Sequence, residues 1–181
     1  MKETINIGMF GLGTVGTGVA KLLTVNALSI EQKVGAPLRL KTILVRNLAK
    51  PRAITADARL TADAAEIIGD RDIDIVVEVM GGEQPAKDYI IRALQAGKHV
   101  VTANKDVMAK YGRELFAAAA PAPVAVVTGR EDGLVTVDHA KAYFQAARNA
   151  AFFATLPGQH HCPVGSACAA MLAGALAAVQ A

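Results

Sequence analysis

Cysteine is scarce in this chain. Only Cys162 and Cys168 occur in 181 residues, too few for the disulfide scaffold of a small secreted domain. Concentrated positive charge is missing too. The 19 Lys and Arg outnumber the 16 Asp and Glu by a net +3, but they are spread along the chain, so nucleic acid is not an expected partner. Residues 164–181 form the longest apolar stretch. Gly165 and Gly174 interrupt it, and it is marginal against the ~20 residues that span a bilayer. It reads as a buried or self-associating helix, or as a disordered or aggregating end. No membrane is therefore expected, and a homo-oligomer is allowed. No targeting segment precedes the first strand-like residues, which makes the cytoplasm the expected location. What is present in quantity is apolar, 52% of the chain, enough to bury the core of one domain with a stub of a second.

Charge thins out sharply along the chain. Residues 115–181 carry only six charged residues, Arg130, Glu131, Asp132, Asp138, Lys141 and Arg148. The same stretch is rich in Ala and holds both Cys and three of the four His. His160, His161, Cys162 and Cys168 offer metal ligands, but at no standard zinc spacing, so no metal site is expected. Asp132-Gly133, between Val126-Val127 and Leu134-Val135, suits a hairpin turn.

The first 128 residues alternate strand and helix signals. Residues 4–10 read as a buried strand with Ile5 and Ile7 on one face. A helix starts near Thr14, with Val15, Val19, Leu22 and Leu23 at helical spacing. Residues 26–36 form an unusually long link, and residues 37–45 a second strand. Asp63 can cap a short helix through Ile68. Residues 73–80 are a near-continuous apolar strand, broken by Asp74 and Glu78, as suits a central parallel strand covered on both faces. Pro85 opens a helix that stops at Gly97. Residues 99–102 are a fourth strand, 111–120 a further helix and 124–128 a fifth strand. This order predicts an α/β fold, a doubly wound parallel sheet with helices on both faces.

Between the first strand and the first helix stand Gly11, Gly13 and Gly16, spaced as G-x-G-x-x-G. That context gives the pattern its value as a dinucleotide-binding turn. The first Gly allows a tight turn, the second lets a diphosphate approach the backbone, and the third lets helix and strand pack closely. The helix N-terminus then offers unpaired N–H groups to the anion. Phe10, Gly11, Leu12, Gly13, Thr14, Val15 and Gly16 are the candidate cofactor-binding residues of this turn.

The end of the second strand separates the two nicotinamide dinucleotides. An acidic residue there would favour NAD(H). Arg46-Asn47 stand there instead, followed by Lys50 and Arg52, with no acid before Asp57. Glu31 has the spacing of such an acid but falls before the strand and reads as a solvated loop residue. Arg46 can hold a 2′-phosphate in a bidentate pair, so NADP(H) is expected in preference to NAD(H), which the site would also admit. At the ends of the third and fourth strands, Gly81-Gly82 leave room for a cofactor ring or ribose. Thr102-Ala103-Asn104-Lys105 fall on the same edge, where Lys105 offers a cation to a substrate oxygen.

These segments together resemble the N-terminal NAD(P)-binding domain of homoserine dehydrogenases. The resemblance is carried by residues 7–16, by Val45-Arg46-Asn47, by residues 77–82 (Val-Glu-Val-Met-Gly-Gly) and, most specifically, by residues 93–105. It covers about residues 4–120 and implies a Rossmann-type domain over residues 1–128. It implies oxidation of L-homoserine to L-aspartate 4-semialdehyde, or the reverse, with NAD(P), in threonine, methionine and isoleucine biosynthesis. It also implies that Leu12, Thr14 and Val15 line the diphosphate and that Arg46 meets the adenosine ribose phosphate. Thr102 and Lys105 would then sit near nicotinamide and substrate, with Lys105 as the catalytic residue and Gly81 beside the cofactor. Members of this family continue into a substrate and dimerisation domain. Residues 129–181 do not carry its pattern and are expected to be an Ala-rich, irregular tail that reflects a shifted reading frame, a truncated gene or a divergent ending. A nucleotide-binding module without catalysis, or a subunit completing a longer partner, is the alternative to an enzyme.

Overall fold

The computed structural model describes residues 3–50, 52 and 57–119, the backbone of 124–131 and 150–159, and positions 138, 141 and 145. It divides into two compact units, Met1–Asn104 and Lys105–Ala181.

The first unit is built on a parallel sheet. Strand β1 (Ile5–Phe10) leads through a glycine turn into α1 (Thr14–Val25) and α2 (Ala27–Val34). Then follow β2 (Leu38–Leu44), β3 (Arg59–Thr61), α3 (Ala65–Ile68), β4 (Ile73–Glu78), α4 (Ala86–Gln95) and β5 (His99–Thr102). The strand order is β3-β2-β1-β4-β5, every pair parallel. The chain thus builds outward from β1 on one side, then returns to build outward on the other. The crevice beyond the C-terminal ends of β1 and β4 lies where the direction reverses, the position at which open α/β sheets bind ligands.

Burial on both faces follows from the strand sequences. Gly8 pairs with Thr42 and Val76, and Phe10 with Leu44 and Glu78, so these residues share one face. Phe10, Leu44 and Val76 pack there with Ile67 and Ile68 of α3 and Ala93 of α4. Met9 and Ile43 point the other way and are fully buried as well. A sheet covered twice needs apolar residues in succession, which is what Ile75, Val76 and Val77 supply. Asp63 stands one residue before Ala64, the N-cap of α3, and its Oδ1 accepts the Ala65 N–H at 2.8 Å.

Several elements differ from the sequence reading. The link at 26–36 is largely the helix α2, and Glu31 is a half-buried residue of that helix rather than of a loop. The helix expected at 111–120 begins six residues earlier: α5, in the second unit, spans Lys105–Ala119. Residues 105–110 are mostly good helix formers, and Val107 and Leu115 bury one stripe of it. Strand β3 has three residues, too few for alternation to show. Strand β6 (Val124–Glu131) covers the expected fifth strand but pairs in parallel with β7 (Ala150–Gln159) in a separate two-stranded sheet. Asp132-Gly133, His160, His161, Cys162, Cys168 and residues 164–181 lie outside the described residues. Among the described residues no helix is long and apolar enough to cross a membrane.

A charged cluster stitches the lower edge of the sheet. Lys41 Nζ lies 2.8 Å from Asp70 Oδ2 and 3.0 Å from Asp72 Oδ2. The buried Lys98 donates to the carbonyls of Asp70 at 2.6 Å and Ile73 at 2.9 Å. The Lys41 hydrogen bond holds the Asp70 carboxyl below its ordinary value, and the Asp70 hydrogen bond holds Lys41 above its own. A depressed carboxyl contributes stability above its unfolded value, here 3.8, and loses it as pH falls through the folded value. The raised lysine contributes below 10.5 and loses it in more alkaline solution. The pair therefore stabilises across neutral pH, by under about 1 kcal/mol given its partial exposure. Asp70→Asn is expected to flatten the acid limb of stability measured by urea unfolding. An unchanged acid limb would remove the pair from this account.

Candidate functional site

The turn after β1 is shaped by two glycines and left open by a third. Gly11 has φ +101°, and its N–H donates to the Leu44 carbonyl at 3.0 Å. A Cβ on Gly11 would lie 3.0 Å from the Val79 carbonyl oxygen and 3.1 Å from Met80 Cα. A Cβ on Gly16 would run into the Gly11 carbonyl oxygen and lie 3.3 Å from Val79 Cγ2. Gly11 and Gly16 thus let the turn fold back against the end of β4. Gly13 is different, because a Cβ there would meet nothing within 4 Å. It occupies the N-cap of α1 without any side-chain cap.

The consequence is electrostatic. The first N–H groups of a helix lack intrahelical acceptors. Here no side chain caps them and no acid stands in the first turn. Gly13, Thr14 and Val15 are exposed, Val15 by 56%. Open amides at the positive end of a helix fit the diphosphate of a dinucleotide, and the space beside Gly13 is the room such a group needs. Phe10 contributes through its backbone, its carbonyl accepting the Val79 N–H at 3.0 Å. Its ring is buried and tilted against Tyr89, with centroids 5.4 Å apart. Leu12 is half-buried.

At the end of β2, Arg46 is exposed. Arg52 is committed locally, its guanidinium donating to the carbonyls of Asn47 at 2.7 Å and Lys50 at 2.8 Å. Asn47 Oδ1 accepts the Ala49 N–H at 2.9 Å. Of the basic residues read from the sequence, Arg52 therefore shapes the loop, and Arg46 is the one placed directly at the strand end.

At the ends of β4 and β5, Gly81 and Gly82 have φ +74° and +72°, a conformation favouring glycine. Thr102 closes β5. Its Oγ1 donates to Glu78 Oε2 at 2.6 Å and accepts the Asn104 N–H at 3.0 Å. Asn104 Nδ2 donates to the Gly82 carbonyl at 2.6 Å. Glu78 and Asn104 were not singled out from sequence; the buried acid at the end of an apolar strand was the available signal. Lys105 is the first residue of α5. Among the described residues no group of three or more His, Cys, Asp or Glu could hold a metal ion.

Comparison with known proteins bears on the same segment. Residues 11–128 match the family model described as the NAD-binding domain of homoserine dehydrogenase. The chain is 44% identical over 118 residues to a homoserine dehydrogenase of Bacillus subtilis, covering 65% of this chain and 27% of that protein. A homoserine dehydrogenase structure from Thiobacillus denitrificans aligns with TM-score 0.62 at 46% identity, over 64% of this chain and 27% of that one. One from S. aureus aligns with TM-score 0.60 at 42% identity, over 64% and 29%. The chain spans about a quarter of the length of the curated relatives it matches.

Proposed function

Because the chain belongs to the family of homoserine dehydrogenase NAD-binding domains, we propose that it binds a nicotinamide dinucleotide across the C-terminal edge of its five-stranded sheet. The observation that carries this reading is the uncapped start of α1 beside Gly13, where a Cβ would find empty space. The amides of Gly13, Thr14, Val15 and Gly16 take the diphosphate. Leu12 and Val15 flank it, and Gly11 and Gly16 hold the turn in shape. Arg46 meets the adenosine 2′-phosphate, so NADP(H) binds more tightly than NAD(H). Gly81 and Thr102 border the nicotinamide half.

The reaction proposed for the protein of which this domain is part is the interconversion of L-homoserine and L-aspartate 4-semialdehyde. When bound, the nicotinamide supplies hydride transfer. Lys105 is assigned to the substrate oxygen, which it orients and polarises. The rest of the chain's contribution is positioning. A second reading is a nucleotide-binding module without turnover. It is favoured by the matched family model, which describes the NAD-binding domain over residues 11–128.

One titration series tests the cofactor reading. NADPH is expected to bind more tightly than NADH, and Arg46→Ala to weaken NADPH by about tenfold while leaving NADH within about twofold, as loss of a charged phosphate contact implies. Equal losses for both would remove Arg46 from the phosphate. Loss of absorbance at the nicotinamide band when L-aspartate 4-semialdehyde is added to chain and NADPH separates the two readings: turnover supports the enzyme, binding without turnover the module.

A further inference from the structure

One buried acid ties together the two loops at the ends of β4 and β5. Glu78 has no exposed surface. Its Oε1 accepts the Met80 N–H at 2.8 Å, and its Oε2 accepts the Thr102 hydroxyl at 2.6 Å. Its backbone carbonyl accepts the Ala103 N–H at 3.3 Å. Thr102 Oγ1 also accepts the Asn104 N–H, and Asn104 reaches back to the Gly82 carbonyl. The chain of bonds closes a ring from β4 through β5 and back to the glycine pair.

We propose that Glu78 is a positioning residue for the nicotinamide half of the cofactor, acting through the loops 80–82 and 102–104 that it clamps together. This rests on the cofactor reading above. Two observations carry it. First, Glu78 shares a sheet face with Phe10 and Leu44, where an apolar side chain would serve packing. A buried polar group contributes less to stability than a well-packed apolar one, but a fully satisfied network fixes a unique geometry. Second, the loop it holds contains Gly81 and Gly82, the least restrained residue type, so an anchor on each side has something to restrain. Met80 N–H on one side and the Gly82 carbonyl on the other are those anchors.

The sheet order decides which half of the ligand feels this clamp. With the adenosine at the end of β2 and the diphosphate at the end of β1, the remaining half runs toward β4 and β5. The Thr102 hydroxyl gives its proton to Glu78, so Thr102 acts on the ligand through the shape of its loop rather than as a donor.

The test compares two probes on the full chain: NADPH, and 2′,5′-ADP, which lacks the nicotinamide half. Thr102→Val keeps the side-chain shape and removes the hydroxyl. It is expected to weaken NADPH by about tenfold, the scale of one lost buried hydrogen bond, and to leave 2′,5′-ADP within about twofold. Thr102→Ser restores the NADPH affinity. Glu78→Gln follows Thr102→Val, and if it fails to fold the threonine pair still decides. Folded variants that bind both probes as the wild type does, or lose both equally, overturn the inference while leaving the cofactor reading standing. A wild-type chain that binds neither probe overturns both.

Discussion

Gly16→Ala is expected to destroy nucleotide binding and to lower the stability of the first unit together. The added methyl would run into the Gly11 carbonyl oxygen, a backbone atom of the same turn, and would crowd the Val79 side chain. Neither can yield cheaply. Gly11 is held by its N–H bond to Leu44 and by its positive φ, and Val79 is held by its own N–H bond to Phe10. Either α1 moves away from the sheet or the turn opens. Overpacking of this kind costs about 3 kcal/mol, which for a domain of this size lowers Tm by roughly 10–20 °C. Thermal unfolding monitored by circular dichroism measures the first effect and NADPH titration the second. A variant with wild-type Tm would mean that helix and strand do not pack as closely as this structure has them.

Gly13→Asp is expected to act in opposite directions on the two quantities. Gly13 is the N-cap of α1, with φ −84° and ψ −157°, an extended conformation that any residue adopts. A Cβ there meets no neighbour. Aspartate is a favoured N-cap whose side chain accepts amides of the first turn, worth a few tenths of a kcal/mol over glycine, about enough to hold Tm level or raise it slightly. The same carboxylate occupies the donors that the diphosphate requires and repels its charge. NADPH affinity should fall by about a hundredfold. Loss of stability without loss of affinity would place the ligand elsewhere. The contrast between Gly16 and Gly13 separates glycines that shape the turn from the glycine that leaves room beside it.

Much of this arrangement is legible in the residues themselves. The β1 turn and the start of α1 are specified within seven consecutive positions, 10–16, so local sequence suffices. The ends of α4 and the extent of β5 are legible for the same reason, with Gly97 in the left-handed conformation after the helix. Strand β3 is not, because three residues at a sheet edge need only one buried side chain, Thr61. Helix α2 is not, because none of its residues is fully buried, and a helix without a buried stripe leaves no strong periodic signal. At the site, Gly81, Thr102 and Arg46 stand out from their positions at strand ends. Glu78 looks like an interruption of an apolar strand until its partner Thr102, 24 residues away, is brought alongside. The basic run after β2 reads as uniform charge. Only the folded loop separates Arg52, spent on carbonyls of its own loop, from Arg46 at the strand end.

Hydrogen–deuterium exchange of the backbone amides, with and without saturating NADPH, bears most directly on where the ligand sits. The uncapped amides of residues 13–16 should exchange fast in the free chain and become strongly protected when NADPH is present, while α2 and the Lys41–Asp70 edge remain unchanged. NADPH bound at saturation with no protection in residues 13–16 would contradict the assignment of the diphosphate to the start of α1.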